Sequence, residues 1–374
     1  MGSSIQLTSY TVLKRSKMRL AFDHQIFVMQ PYGGISRYFA QIAKGLLNVD
    51  QQVMTFAPLH INNYLRLLSK EMVYGRYTHR FPPKTVRLFL AYNHFLVRSK
   101  ILKWNPNIVH ETYYSRFSSA PKDCQTVITV FDMIHELFPD EMSVTDNTPA
   151  LKRISVDRAD AVICISENTK QDLMRLYGTP ANKISVVHLG FDRFLSKKNN
   201  VRESSYSDKP FLLYVGHRAG YKNFSGFLKA VAVSKNLLSD FEIIAFGGRN
   251  FSSLELSLIN TLGFSEGQVK HKSGGDDILG KLYDSARAFV YPSVYEGFGI
   301  PPLEAMAHSC PVISSNTSSM PEVIGGAAEY FNPLDIDDMK NAIENVVYSK
   351  SHIETLKALG KKRLRFFSWD KCTR

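Results

Sequence analysis

YPSVYEGFGIPPLEAMAHSCPVISSNTSSMPEVIGGAAEYFN, residues 291–332, carries two glutamates, Glu296 and Glu304, with seven residues between them. Gly297, Phe298 and Gly299 follow the first glutamate directly, and Ile300, Pro301 and Pro302 come next. Glycine lets a backbone approach a ligand closely and lets a turn open into a helix, and proline suits a helix's first turn. The pattern predicts a strand near Arg287–Pro292, a loop bearing Glu296, and a helix over 300–308 whose N-terminal amides point outward. Glu304 then lies one to two turns along that helix, so both carboxylates can border one ligand. A charge-assisted hydrogen bond from a hydroxyl group to either would contribute about 1.5–3 kcal/mol. Stripped of their neighbours, two glutamates at this spacing would read as solvated surface acids.

Outward from this stretch, short apolar runs alternate with helix-length amphipathic segments, the pattern of parallel sheets flanked by helices. Strands are predicted near MRLAF (18–22), QVMTF (52–56), NIVH (107–110), TVITVF (126–131), AVICIS (161–166) and ISVVH (184–188). A second set follows at FLLYVG (211–216), FEIIAF (241–246), RAFVYP (287–292) and PVIS (311–314), with helices near 223–236, 276–285, 300–308 and 335–348. Between the sets, RFLSKKNNVRESSYSDK (193–209) has no periodicity and reads as a linker. The division expected is a flexible extension over 1–17, a first α/β domain over 18–192, the linker 193–209, a second α/β domain over 210–351, and a helical end over 352–374. A chain of 374 residues exceeds what one core usually supports, which agrees with two domains.

Hydrophobic residues make up 44% and charged residues 21%, without an apolar run long enough to span a bilayer. The first 17 residues lack the apolar core and cleavage site of a secretory signal. Cys124, Cys164, Cys310 and Cys372 match neither metal-ligand nor redox spacing, and a cytoplasmic location is expected. The net charge of +12 is concentrated: between Asn62 and Lys103 stand nine Lys or Arg and a single acid, Glu71, interleaved with apolar residues. This reads as basic helices with an apolar face. That face either packs on the domain core, with the basic face solvated, or meets an anionic membrane surface, where three charges at about 1 kcal/mol each would allow reversible binding. Nucleic acid is not expected as a partner, because no recognition motif accompanies the charge.

Taken together, strand, Pro-Ser, Glu-Gly-Phe-Gly, Pro-Pro-Leu-Glu-Ala-Met-Ala, Cys-Pro-Val-Ile-Ser-Ser-Asn and Met-Pro-Glu-Val closely resemble the donor-binding signature of GT-B glycosyltransferases of the retaining family four, the glycosyl transferases group 1. The resemblance extends from Met18 to Lys371. YGGISRYF (32–39) looks like the family's glycine-rich loop, with Gly33 and Gly34 opening a helix toward a diphosphate. VFDMIHELFP (130–139) and ADAVICISENTKQDLMRLYG (159–178) are similar to the family as well, although the usual His-Asp pair is absent, Phe131 preceding Asp132 and the histidine standing at His135. In FLLYVGHRAGYKNFSGFLKAVA (211–232), Lys222 takes the family's lysine position, while the expected arginine is either replaced by His217 or displaced to Arg218.

The resemblance implies an α/β fold of GT-B type, with two doubly wound Rossmann-like domains facing across a cleft and the helical end crossing back to the first. It implies a retaining hexosyltransferase that uses a nucleotide sugar as substrate, without cofactor or metal. The donor expected first is a UDP-hexose such as UDP-glucose, and second GDP-mannose. The acceptor is a polysaccharide or lipid-linked saccharide at the inner face of the cell membrane. Asp132, Lys222 and Glu296 are the catalytic candidates. Gly33, Gly34, His217, Arg218, Lys222, Glu296, Gly297, Phe298, Gly299, Ile300 and Glu304 are the donor-binding candidates. His110 and His135 are candidate sugar or acceptor contacts, His110 also reading as a packed core histidine. Asp276 and Asp277 are read as helix-capping acids rather than metal ligands. The rival readings are a sugar-nucleotide 2-epimerase of the same architecture and a non-catalytic nucleotide- or glycan-binding protein. A dinucleotide-dependent dehydrogenase is disfavoured because no G-x-G-x-x-G follows the first strand of either half.

Overall fold

The structure, a computed structural model, describes residues 17–192, 209–218 and 220–374. The expected extension 1–17 and linker 193–209 lie outside these residues, apart from Lys17 and Lys209. Two compact units make up the chain, Met1–His110 with Ser119–Gln125, and Glu111–Ser118 with Thr126–Arg374.

In the first unit, strands β1 (Arg19–Phe22), β2 (Gln52–His60), β3 (Val73–Tyr77) and β4 (Ile108–Glu111, all but its last residue) run parallel in the order β3-β2-β1-β4. Ala21, Phe56, Val97, Ile101 and Val109 form a core on this sheet. The stretch 62–103 differs from its expected form. It contains two short 3-10 turns, Leu65–Leu67 and Lys70–Met72, then strand β3, and a single long helix, Val86–Trp104. The strand was masked in the sequence because VYGRY is polar and mostly exposed at a sheet edge, where no apolar run is needed. The helix buries Asn93, Val97 and Ile101, whereas Leu88, Tyr92, Phe95 and Leu102 on the opposite side are exposed, Phe95 by 81%. It therefore has two apolar faces, one packed and one solvent-facing.

The second unit contains β5 (Gln125–Val130, all but its first residue), β6 (Ala161–Cys164) and β7 (Ile184–Val186), paired in that order. It also contains a six-stranded parallel sheet of β8 (Phe211–Val215), β9 (Glu242–Phe246), β10 (Val269–Lys272), β11 (Ala288–Tyr291), β12 (Val312–Ser315) and β13 (Ala328–Phe331). The order of this sheet, β10-β9-β8-β11-β12-β13, is the doubly wound 3-2-1-4-5-6 arrangement. Central strands β11 and β12 are buried along their whole length, which explains their unbroken apolar or small-residue runs. Edge strands β10 and β13, VKHK and AEYF, lack such runs and escape the sequence reading. Helix Phe224–Ala232 stops earlier than expected. Its residues Phe224, Phe227, Leu228 and Val231 repeat at i, i+3, i+4 and i+7 toward the core, each burial contributing about 1.5–3 kcal/mol.

The chain order reverses between β8 and β11, which pair directly. In open α/β sheets, ligands bind outside the carboxyl ends of the strands at such a switch point. The loops leaving β8 and β11 hold Lys222 and Glu296.

Candidate active site

Helix Ile300–Ala307 begins at Gly299, whose φ of 97° lies in the left-handed region that favours glycine, and Pro301 and Pro302 occupy its first turn. Neither glutamate is a solvated acid. Glu296 and Glu304 are each 7% exposed, and each stands beside a buried tyrosine, Tyr291 near Glu296 and Tyr283 near Glu304, the Tyr283 hydroxyl donating to the Pro301 carbonyl at 3.3 Å. Burial raises both phenol pKa values well above the ordinary range and the adjoining carboxylates raise them further.

Lys222 donates to both oxygens of Glu296, at 2.6 and 2.8 Å. Burial lowers the lysine's pKa, but Glu296, Tyr221 and Asp132 outweigh it, and the net displacement is upward. Lys222 is thus a fixed cation. Asp132, in the turn after β5, adds to that shift; its Oδ1 accepts the Ile134 amide at 3.1 Å, and its Cβ lies 3.0 Å from where a β-carbon on Gly297 would stand. The three residues read from the sequence as catalytic therefore come together.

The loop bearing Glu296 is held by hydroxyls. Ser315 donates to the carbonyl of Ser293 at 2.6 Å and Thr317 to that of Val294 at 2.7 Å. Ser318 and Ser319 donate to the carbonyl of Glu296 at 2.6 and 2.8 Å, and Ser319 also reaches that of Phe298 at 3.0 Å. Ser166 and Thr169 meet the carbonyl of Gly297 at 2.7 and 3.3 Å. A loop so tied presents fixed charge and needs little reorganisation when a ligand's charge changes. The run SSNTSS was the available signal for this device, and its hydroxyls went unread.

Other candidates are placed differently. Arg218 is a structural anchor: Nε donates to Glu255 at 2.6 Å, Nη1 to the Gly247 carbonyl at 3.0 Å and Nη2 to those of Arg249 and Asn250 at 2.5 and 3.4 Å, while the guanidinium lies 4.8 Å from the Phe251 ring. With its donors engaged there, it is not brought to Lys222 and Glu296. His217 is exposed, and its carbonyl accepts the Tyr214 hydroxyl at 2.5 Å. Phe298 is buried against His188 and Phe367, so its ring is part of the packing. Ile300 is half-buried at the helix start. His135 faces Asp146 at 3.4 Å.

In the first unit, His110 packs against Phe22 and Phe39, with burial lowering its pKa to about 3, so it is a neutral core histidine. Gly33 precedes helix Gly34–Asn48 in an extended conformation; a β-carbon there would meet the Gln30 side chain, and one on Gly34 would meet open space. Asp276 and Asp277 lie in the first turn of helix Asp276–Ser285, where the helix dipole favours acids, but the N-cap is Gly275 and neither side chain caps the helix. The helical end comprises Lys350–Arg363 and Trp369–Thr373, and Trp369 Nε1 donates to Asp192 at 3.0 Å.

Two parallel Rossmann-like sheets and this loop arrangement define the GT-B class. Over 96% of both chains the structure superposes on sucrose-phosphate synthase from Thermosynechococcus elongatus, with a TM-score of 0.72 at 17% identity. Residues 32–193 match the family described as Glycosyltransferase Family 4, and residues 196–363 match Glycosyl transferases group 1. The chain is 30% identical over 274 residues to the O-antigen chain mannosyltransferase RfbU of Salmonella typhimurium, covering 70% of this chain and 72% of the relative. It is 30% identical over 227 residues to the O-antigen chain mannosyltransferase B of Escherichia coli, covering 59% of this chain but only 60% of that relative. The chain belongs to glycosyltransferase family 4.

Proposed function

We propose that the protein transfers a mannosyl group from GDP-mannose to a saccharide acceptor, with retention at the anomeric carbon and without a metal. The class of donor follows from the Lys222–Glu296 pair at the switch point, the single observation that carries the reading. The sugar follows from the relatives, which are named as mannosyltransferases of O-antigen chains. They move GDP-mannose ahead of the UDP-hexose expected first from the sequence.

In the proposed reaction the bond from C1 to the diphosphate oxygen breaks, and C1 bonds to an acceptor hydroxyl on the same face. The hydroxyl's proton passes to the departing phosphate. Lys222 and the first amides of helix Ile300–Ala307 offset the growing phosphate charge, Glu296 and Glu304 hold sugar and ribose hydroxyls, and Asp132 orients the hexose. An acceptor built as a polysaccharide or lipid-linked chain agrees with the relatives' names.

The exposed stripe Leu88, Tyr92, Phe95 and Leu102, spaced i, i+4, i+7 and i+14 and flanked by exposed Arg87, Arg98, Lys100 and Lys103, supports contact with an anionic membrane surface. No helix among the described residues is long and apolar enough to cross a membrane.

The test is a thermal-shift panel of GDP-, UDP- and ADP-sugars, followed by transfer assays with and without EDTA. At about 100 times its dissociation constant the right donor adds about 2.7 kcal/mol to stability. Stabilisation by GDP-mannose and an α-linked product are expected. A C2 epimer of the free donor, seen by NMR without acceptor, would instead establish an epimerase.

A further inference from the structure

Below Asp132 lies a buried charge that the reaction as described does not use. Lys152, in helix Thr148–Arg158, is 1% exposed. Its ammonium donates to the main-chain carbonyl of Asp132 at 2.9 Å and to Glu136 Oε2 at 2.8 Å, with Met133 Sδ at 3.9 Å and the Tyr114 ring centroid at 5.5 Å. Glu136 is gripped at its other oxygen by the Tyr177 hydroxyl at 2.5 Å, which also lies 2.8 Å from the Pro149 carbonyl. One buried cation thus ties both ends of the turn from Asp132 to Glu136. Within the turn, the amides of Glu136 and Leu137 donate to the Met133 carbonyl at 3.2 and 3.0 Å.

Taking an ammonium and a carboxylate out of water costs several kcal/mol each, and apolar residues of similar volume often leave a protein equally stable. Filling the space under Tyr114 would need only a methionine. An apolar side chain cannot, however, hold a main-chain carbonyl and a carboxylate four residues apart in one geometry. The carbonyl that Lys152 takes belongs to Asp132, whose Cβ lies against Gly297, the residue after Glu296, and whose charge adds to the upward displacement of the Lys222 pKa.

We propose that Lys152 is a positioning residue for the transfer reaction, fixing the Asp132–Glu136 turn and so holding Asp132 beside Lys222 and Glu296. The proposal rests on the reading of those three residues as the reaction centre. Lys152 touches no reacting atom, so losing it disturbs turnover more than donor binding, which depends on groups carried by other loops.

The test uses the full-length protein with Lys152→Met and Glu136→Met combined, which removes both charges and strands neither. Three quantities are measured: amide hydrogen exchange of 132–137, the dissociation constant for GDP-mannose, and kcat. Exchange faster by about tenfold, donor affinity within about twofold of the parent and kcat lower by about 10- to 100-fold are expected. Unchanged exchange, a loosened turn with normal kcat, or affinity and kcat falling in step would each overturn the proposal. If the double variant does not fold, Glu136→Gln, which replaces the charge-assisted bond to Lys152 by a weaker one to a neutral amide oxygen, is expected to move the same three measurements in the same direction by smaller factors. A parent protein that transfers no hexose from any nucleotide sugar overturns the reaction centre and the catalytic half of this proposal. Exchange alone then decides whether Lys152 holds the turn.

Discussion

A β-carbon on Gly297 would collide with the carbonyl oxygen of Phe131 and come within 3.0 Å of Asp132 Cβ. The loop after β11 and the turn after β5 therefore touch through their backbones, and this contact brings Asp132 against the residue that follows Glu296. Gly297→Ala is expected to push the two apart, costing about 1–3 kcal/mol in stability, and to lower transfer with it. Thermal melts and kcat of the purified variant check this; a normal melting temperature with normal transfer would show that the contact is dispensable.

Lys222→Ala leaves Glu296 buried without its cation. A loss of about 100- to 1000-fold in kcat is expected, as when a preorganised charge stabiliser is removed. Glu304→Gln acts on donor binding instead, weakening it by the 1.5–3 kcal/mol typical of a charged hydrogen bond, or about 10- to 100-fold. Steady-state kinetics against donor concentration separate the two outcomes.

Arg218→Gln is expected to destabilise the fold by about 2–3 kcal/mol, because it abandons Glu255 and the carbonyls of Gly247, Arg249 and Asn250. Donor affinity of the folded fraction should change little. An intact melting temperature with a lost donor would return Arg218 to the diphosphate.

Acid should weaken the protein partly through Glu322. Its carboxylate accepts the Glu167 and Asn168 amides at 2.8 and 3.2 Å and meets His188 Nε2 at 2.6 Å. Burial raises its pKa, but these partners lower it by more, so the folded value lies below the unfolded one. A depressed carboxylate gives stability that is present above its unfolded pKa, near 4.3, and is lost as pH falls through the folded value. Melting temperature followed from pH 6 to pH 3 should therefore fall less steeply for Glu322→Gln than for the parent.

Replacing Arg87, Arg98 and Lys103 together by Gln should cost about 3 kcal/mol of binding to anionic vesicles, at about 1 kcal/mol per charge. Phe95→Asp should weaken binding without altering the buried face of its helix. Co-sedimentation at low salt measures both, and equal sedimentation of parent and variants would remove the membrane contact.

Much of this architecture was legible because it obeys local rules. Buried parallel strands such as AFVY and FLLYV announce themselves as apolar runs, and Gly299 with Pro301 and Pro302 marks a helix start that the backbone requires. Edge strands were not legible, since VYGRY and VKHK satisfy only half their surface by burial and carry no run. The helix Val86–Trp104 was legible as a helix but not in its facing, because two apolar sides give no sequence periodicity from which to choose.

From the sequence alone came the strand–helix alternation, the family resemblance and the identity of Asp132, Lys222 and Glu296 as the residues to watch. Local propensity and short-range spacing suffice for the alternation, whereas the three residues came with the resemblance. Only the tertiary structure decided that Lys222 closes on Glu296, that Arg218 is spent on the carbonyls of Gly247, Arg249 and Asn250, and that Lys152 lies beneath Asp132. Each of these is a choice of partner by a long charged side chain across 20 to 74 residues of sequence. Such choices depend on which groups burial has already deprived of water, and chain order does not record that.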